Sequence, residues 1–480
     1  MTERFSPATA ARVSAFLKAE QKAPTPLLSL SKYAASIGVG AVYVKDESGR
    51  LGTKAFKVSG VAWAMSCWMA QEIGCDLSKV KGGFKELRSL WEQKFPGKPC
   101  TFCTCTDGNH GAAVSLAAKL LGQKAVVYMP KGSAHARVEN VRRHGGSCTV
   151  TEMNYDDTVD FASATATANG WQLLQDTTLE NYVEIPSLIM EGYCLMADEA
   201  LSQIRNLGAA MDDVGGPGAV MPTHVFLQAG VGSMASAVLA YLVEAFQANP
   251  SARPKCVICE PRDAACMHAS AMQADGAAVE VAADEYTMIA GLQCGVPSSI
   301  AWPILRTHVD GGYAWVADPI AANGMRAAAK HGYEAGECGG AALGLIARLM
   351  GPGPKAAAAR ASLGLDASSR VLLINTEGAT DPVNYNAQLQ LADVPWAEDD
   401  FHIAPPLNHV PFAEDFVPAT PSTSTAMKVA QKAGEAAAAS AGGKYERIGA
   451  PAAASWAKPS TLLVAAALVA ITAAVVTRRR

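Results

Sequence analysis

The sequence lacks the excess of basic residues that is typical of nucleic-acid-binding proteins and the dense cysteines of disulfide-stabilised domains. Only 18% of its 480 residues are charged and the formal net charge is −4, so no excess of basic residues is available for a phosphate backbone. The 12 cysteines are too sparse for a disulfide scaffold in a chain of this length. These shortages argue against both classes. They favour a large folded protein from a reducing compartment, either one large two-lobed unit or two or three domains.

Other expected signals are also missing. The first residues, MTERFS, contain no apolar stretch, so no secretory signal is predicted. No internal repeat, Walker phosphate loop or dinucleotide-binding glycine fingerprint is visible. The nine histidines are scattered, so no catalytic metal is expected. Cys100 and Cys103 have the spacing of half a zinc site but lack a second ligand pair, and buried thiols in a strand are the favoured interpretation.

The C-terminal part differs in composition from the rest. Residues 461–477 carry no charge and are followed by three arginines, and as a helix they would span about 25 Å, slightly short of a bilayer core. A Pro/Ala/Ser/Gly-rich stretch precedes them and predicts a flexible tether. An Ala-rich helix docked on the body is the alternative. We expect a body over 1–415, a linker over 416–459 and a membrane anchor over 460–480, with the body facing the cytoplasm.

The body alternates short apolar runs with helical patterns. Such alternation predicts an α/β fold with a mainly parallel sheet covered on both faces, where ligands bind at the carboxyl ends of the strands. The clearest predicted strands are 41–44, 125–129, 147–151, 224–227, 255–259 and 371–375.

Three loops that follow predicted strands are rich in small or polar residues: TDGNHG (106–111), QAGVGSM (228–234) and NTEGATD (375–381). A glycine-rich turn at a helix start offers free N–H groups to a phosphate, although many such turns are only tight connections. Lys57 lies upstream, beside Phe56 and a run of small residues. It is either a half-buried carbonyl nucleophile or a solvated lysine on a helix.

Taken in order, these segments resemble the pyridoxal phosphate enzymes of fold type II, and within them the diaminopropionate ammonia-lyases. The similarity covers roughly residues 20–390. It is carried by KDESGRLGTKAFKVSG (45–60), TDGNHGAAVSLAAKLLG (106–122), VVYMPKGSAHARVENVRRHGG (126–146), TEMNYDDTV (151–159), LLQDTTLENYVEIPSLIMEGY (173–193), PTHVFLQAGVGSMAS (222–236), IAGLQCGVPS (289–298) and INTEGATDP (374–382).

The resemblance implies how pyridoxal 5′-phosphate is held. Lys57 would bind the cofactor through an imine, Asn109 would contact its 3′-oxygen, and Thr376 would face the pyridine nitrogen. A neutral hydroxyl there would not force that nitrogen to be protonated. The implied phosphate cradle consists of Gly230, Val231, Gly232, Ser233 and Met234.

Two acids match the family and separate it from the serine and threonine dehydratases. Asp107 stands where those enzymes usually carry Ser or Ala, and Asp176 matches the family's second acid. The resemblance implies that they act as general bases on opposite faces of the α-carbon or bind the second ammonium group of the substrate. From the residues alone, each is equally a turn or capping residue. The implied reaction is α,β-elimination of D- or L-2,3-diaminopropionate to pyruvate and two ammonia; the alternative is a serine or threonine dehydratase or another β-eliminating lyase.

The family architecture implies two α/β lobes, each around a mainly parallel twisted sheet, with the cofactor between them. The large lobe is expected at about 1–95 and 215–400, the smaller inserted lobe at about 95–215, and the assembly as a homodimer. The Lys- and Glu-rich stretch 67–97 is predicted to be surface decoration. Cys266 and Cys294 are expected near the site as free thiols, with pairing under oxidising conditions left open. His110 is expected to pack beneath the cofactor.

Overall fold

The computed structural model describes residues 2–179, 181–209 and 220–407. The predicted linker and membrane anchor, 416–480, lie outside the described residues. Within the described ranges, no helix combines the length and the hydropathy that a membrane span requires.

Eleven strands in the described ranges form two sheets. The larger sheet has the order β1-β2-β10-β7-β8-β9-β11, parallel except for the antiparallel edge strands β1 and β11. The smaller sheet, β5-β4-β3-β6, is parallel throughout. The strands are β1 (Leu27–Ser29), β2 (Ala41–Asp46), β3 (Thr101–Cys105), β4 (Lys124–Met129), β5 (Ser147–Val150), β6 (Gln172–Leu173), β7 (His224–Gln228), β8 (Lys255–Pro261), β9 (Gly312–Val316), β10 (Arg370–Asn375) and β11 (Phe401–Ala404).

Helices connect the parallel strands, as crossover connections require. They are α1 (Pro7–Leu17), α2 (Ser31–Ile37), α3 (Lys57–Ile73), α4 (Gly83–Lys94), α5 (Asn109–Leu120), α6 (His135–Arg143), α7 (Tyr155–Asn169), α8 (Glu184–Ala209), α9 (Ser233–Ala245), α10 (Cys266–Ala271), α11 (Ala301–His308), α12 (Asp318–Lys330), α13 (Glu337–Met350), α14 (Pro354–Leu363) and α15 (Pro382–Gln390).

The central strands of the large sheet are buried on both faces. All five residues of β7 and five of the six residues of β10 are buried, which is why these segments read as continuous apolar runs. Each of the six predicted strands falls on an observed strand, with ends that differ by one or two residues. The α/β fold with mainly parallel sheets, predicted from this alternation, is confirmed.

The prediction for 67–97 as surface decoration is wrong for its apolar side chains. Helix α4 lies in this stretch, and Phe84, Leu87 and Trp91 on one of its faces are buried in the core. Trp91 packs near Trp68, with ring centroids 5.9 Å apart. The many lysines and glutamates occupy the opposite face, so composition alone concealed an amphipathic helix.

A buried ion network fixes the segment between β2 and α3. Glu47 accepts hydrogen bonds from the Thr25 hydroxyl (2.7 Å) and from Nε and Nη2 of Arg50 (2.8 and 2.7 Å). Glu199 on α8 contacts both Arg50 and Lys45, at 2.8 and 2.7 Å. Because α3 follows this segment directly, the network holds the start of that helix against α8.

We expect Glu47→Gln to lower the free energy of unfolding by about 3 kcal/mol, because it leaves the two buried cations, Arg50 and Lys45, to share the single carboxylate of Glu199. Urea denaturation of the full-length chain measures the change. The matched control is Glu72→Gln on the exposed face of α3, for which a change within about 0.5 kcal/mol is expected. Equal effects of the two substitutions would show that the network contributes nothing beyond an ordinary surface charge.

Candidate active site

Loops from both sheets meet in one cleft at the carboxyl ends of the strands. The loops after β3, β7 and β10, the segment after β6 and the start of α3 all line it, as expected for an α/β ligand site. The cleft brings together all ten residues singled out in the sequence: Lys57, Asp107, Asn109, Asp176, Gly230, Val231, Gly232, Ser233, Met234 and Thr376.

Lys57 is the first residue of α3, with about a quarter of its side chain exposed in the cleft. The turn before it is tied to the loop after β10, because the Phe56 N–H donates to the main-chain oxygen of Thr376 at 3.0 Å. The ammonium of Lys57 forms an ion pair with Asp176. Desolvation pulls the pKa of Lys57 down, but the charge of Asp176 outweighs it and holds this pKa above its ordinary value.

Asp176 joins several parts of the cleft. Its main-chain oxygen accepts a hydrogen bond from the Ser233 hydroxyl at 3.1 Å, and its carboxylate lies 3.5 Å from Nδ1 of His110. Burial alone would raise the pKa of Asp176, but His110 and the Lys57 ammonium more than offset this and hold it well below its usual range. Asp176 is therefore ionised at neutral pH.

His110 is buried below the start of α5. Its Nε2 lies 2.7 Å from the main-chain oxygen of Leu174, which can only accept, so Nε2 carries the proton. Burial lowers the pKa of His110. Its Nδ1 lies towards the Asp176 carboxylate at the base of the cleft.

Asp107 has the opposite electrostatic setting from Asp176. Burial raises the pKa of Asp107 to about 6, against the opposing charges of Arg137 and Lys57. One cleft thus holds a carboxylate that is always ionised and another that gains or loses a proton near neutral pH. Carboxyl groups whose environments separate their pKa values in this way are suited to distinct acid and base roles.

The glycine-rich loop forms an open cradle at the start of α9. Gly232 has a φ of +92° and caps the helix, and a Cβ there would lie 2.6 Å from Cε of Met267. A Cβ on Gly230 would lie 3.1 Å from Sγ of Cys294. The first N–H groups of a helix have no partner within it, so the loop offers donors and space to an anion.

The cleft also contains a polar atom that lacks a partner. Thr376 is buried, and its Oγ1 has no hydrogen-bond partner among the described residues, an arrangement that costs stability unless a ligand supplies one. The amine of Lys57, the anion cradle and this free hydroxyl fit the three ends of pyridoxal phosphate: aldehyde, phosphate and pyridine nitrogen.

Sequence reasoning did not single out four charged or phenolic side chains that also line the cleft: Arg137, Tyr155, Tyr193 and Glu377. Glu377 directly follows Thr376 in the TEG segment and was noticeable as a charge next to a buried strand. Arg137 lies on α6, and its chain packs over Gly108. Tyr155 begins α7, and Tyr193 lies within α8. Nothing in the local sequence of either tyrosine distinguishes it from a core aromatic residue.

We expect Gly232→Ala to weaken binding of pyridoxal phosphate by about tenfold, because the new methyl group needs the space taken by Met267 and strains the positive φ. Fluorescence titration of the cofactor-free enzyme measures the affinity. Gly132→Ala is the matched control, because its φ is +86° but nothing lies within 4 Å of the added Cβ. Gly132→Ala should affect stability alone; equal losses of affinity would contradict a specific role for the cradle.

Comparisons with known proteins agree with this geometry. Residues 19–376 match the family described as pyridoxal-phosphate dependent enzyme. The diaminopropionate ammonia-lyase of Salmonella typhimurium is 42% identical over 369 residues, covering 76% of this chain and 87% of the relative. That of Escherichia coli is 40% identical, covering 75% and 86%.

Solved structures give the same result. The crystal structure of the Escherichia coli diaminopropionate ammonia-lyase in complex with D-serine superposes with a TM-score of 0.71 at 37% identity, covering 81% of this chain and 93% of that one. The same enzyme with an aminoacrylate-PLP azomethine reaction intermediate gives 0.70 over the same shares. This chain therefore belongs to the pyridoxal-phosphate dependent enzymes and, among them, to the diaminopropionate ammonia-lyases.

Proposed function

We propose that this protein is a lyase that uses pyridoxal 5′-phosphate to convert 2,3-diaminopropionate, as the D or the L enantiomer, to pyruvate and two ammonia. The observation that carries the proposal is the pair of carboxylates, Asp107 and Asp176, in one cleft with Lys57 and the glycine cradle. The relatives named for this activity support it.

Each group of the cleft has a task in the proposed reaction. Bound pyridoxal phosphate supplies an electron sink for the charge that develops at the α-carbon of the substrate. Lys57 would hold the cofactor and exchange it with the substrate amine. Asn109 and Thr376 would orient the ring, and the loop 230–234 would bind the phosphate.

The two acids would move protons and recognise the second amine. Asp107 and Asp176 would take the α-proton from opposite faces, each for one enantiomer. A substrate with two ammonium groups also favours carboxylates in a partly desolvated cleft, because each ion pair gains strength there. The acid that has taken the α-proton can return it to the β-amino group if that group departs from its neutral form.

The alternative is a serine or threonine dehydratase activity of the same fold type. A hydroxy amino acid has no second ammonium group, so it gives Asp107 no charge to neutralise. The choice of substrate separates the two: the proposed lyase forms pyruvate and two ammonia from the diamine, whereas a dehydratase forms pyruvate and one ammonia from serine. Pyruvate from serine or threonine with none from diaminopropionate would refute the proposed function.

Two finer parts of the proposal concern assembly and location. We expect a homodimer, as implied by the family resemblance, and sedimentation analysis tests it.

We also expect residues 460–480 to anchor the chain in a membrane. If the protein remains in the supernatant after lysis without detergent at high salt, the anchor is refuted.

A further inference from the structure

Glu377 is a buried carboxylate at the meeting point of three parts of the cleft. Only 2% of the residue is exposed. Its Oε1 accepts the N–H of Cys338 at 3.1 Å, near the start of α13, where a helix favours a carboxylate. Its Oε2 accepts the Thr380 hydroxyl at 3.2 Å and a hydrogen bond from Nδ2 of Asn109.

The backbone around Glu377 is connected to the turn that carries Lys57. Ala55 and Glu377 form an isolated antiparallel bridge, and the Gly378 N–H donates to the main-chain oxygen of Lys54 at 3.0 Å. The Gly336 N–H donates to the main-chain oxygen of Glu377 at 2.9 Å. The side chain therefore has a fixed base from which to contact Asn109.

The contact with Asn109 joins elements of the two sheets. Asn109 begins α5, which follows β3 of the small sheet, whereas Glu377 follows β10 of the large sheet. Nδ2 of Asn109 donates to Oε2 of Glu377, so the NH₂ group of Asn109, and not its oxygen, faces Glu377. This fixes the amide orientation and leaves its second N–H for another partner.

We propose that Glu377 is a positioning residue that acts through Asn109, holding the amide so that its second N–H is available to the 3′-oxygen of the cofactor. The inference rests on the proposed function, in which Asn109 contacts that oxygen. Glu377 would then be a third functional acid in the cleft, beside Asp107 and Asp176, but it would not transfer a proton itself.

Glu377→Gln separates this role from simple capping of α13. The N–H of Cys338 cannot turn, so the single oxygen of the glutamine faces it and the glutamine NH₂ faces Asn109. Two NH₂ groups would then oppose each other, and Asn109 must turn its amide over. The cap of the helix survives, but the orientation of Asn109 is reversed.

The experiment is a double-mutant cycle on the full-length chain, read by fluorescence titration with pyridoxal phosphate. We expect E377Q to weaken cofactor binding about tenfold, the equivalent of one lost hydrogen bond. In an Asn109→Ala background, E377Q should change the affinity by less than about twofold. The matched control is Glu337→Gln, because Glu337 is equally buried at the same helix end but bonds Asn384; it should bind the cofactor like the parent.

Unaltered affinity of E377Q would overturn the inference, and so would a loss that is as large without Asn109 as with it. If E377Q does not fold, Glu377→Asp takes its place in the cycle, since its shorter side chain cannot reach both Cys338 and Asn109. If the parent protein itself does not bind pyridoxal phosphate, the proposed function is refuted. If the parent binds the cofactor and eliminates the diamine, but E377Q binds the cofactor equally well, only the role of Glu377 is refuted.

Discussion

Lys57→Ala should lower kcat/KM for 2,3-diaminopropionate by about 10⁴-fold or more, because it removes the amine that is proposed to hold and exchange the cofactor. Borohydride reduction followed by peptide mass analysis should find pyridoxal phosphate attached to Lys57 in the parent protein and to no lysine in the variant. This measurement identifies the lysine that carries the cofactor and does not require a turnover assay.

The matched control is Lys54→Ala, three residues upstream in the same turn. The Lys54 side chain is about half exposed, and its ammonium lies 3.8 Å from Glu334, outside the cleft. Its activity should remain within about twofold of the parent, the range expected for a surface change. Cofactor trapped on another lysine, or a variant at position 57 that retains turnover, would remove the basis of the assignment.

Asp107→Asn and Asp176→Asn should each lower the rate of pyruvate formation from one enantiomer by about 10²- to 10⁴-fold, the range expected for loss of a general base. The rate with the other enantiomer should fall less. The affected enantiomers should differ between the two variants, because the acids are proposed to serve opposite faces. The double variant should lose both activities. Pyruvate formation from D- and L-2,3-diaminopropionate measures this, with Asp284→Asn at an exposed position as the control.

The pH profile gives an independent test of the same pair. The pKa of Asp107 is raised to about 6, so as a base it is protonated and inactive below this pH and becomes active as the pH rises through it. The pKa of Asp176 lies well below its usual range, so this carboxylate is ionised throughout. The rate with the enantiomer served by Asp107 should therefore fall below about pH 6, and the Asp107→Asn variant should lack this fall.

An unchanged pyruvate yield in the Asp107→Asn, Asp176→Asn double variant would overturn both assignments.

The sequence predicted the parts of the fold with strong local signals. Strands such as β7 and β10 are continuous apolar runs because they are buried on both faces, and the loops after them were identifiable from glycines and polar residues. Short strands such as β6, with two residues, carry no such run, since their place is set by pairing with β3. Helix α4 was missed as a core element because its buried face is narrow.

The residues of the cleft likewise fall into those that the sequence pointed to and those that it did not. The resemblance pointed to ten residues that do share one cleft. It assigned no role to Glu377 or Arg137, although both lie in matching segments, because their place in the cleft depends on contacts between distant segments. Asn109 and Glu377 are 268 residues apart in the chain. The opposite pKa shifts of Asp107 and Asp176 were also beyond the sequence, because they arise from burial and from the charges that the fold brings next to each acid.

The most direct test is a comparison of kcat/KM for D- and L-2,3-diaminopropionate with that for L-serine and L-threonine, using the full-length protein loaded with pyridoxal phosphate. Carboxylates that pair with the second ammonium group predict a preference for the diamine of at least about 10²-fold, the equivalent of one or two charge-assisted hydrogen bonds. A preference for serine or threonine would contradict the account, because Asp107 and Asp176 would then have no ammonium group to recognise.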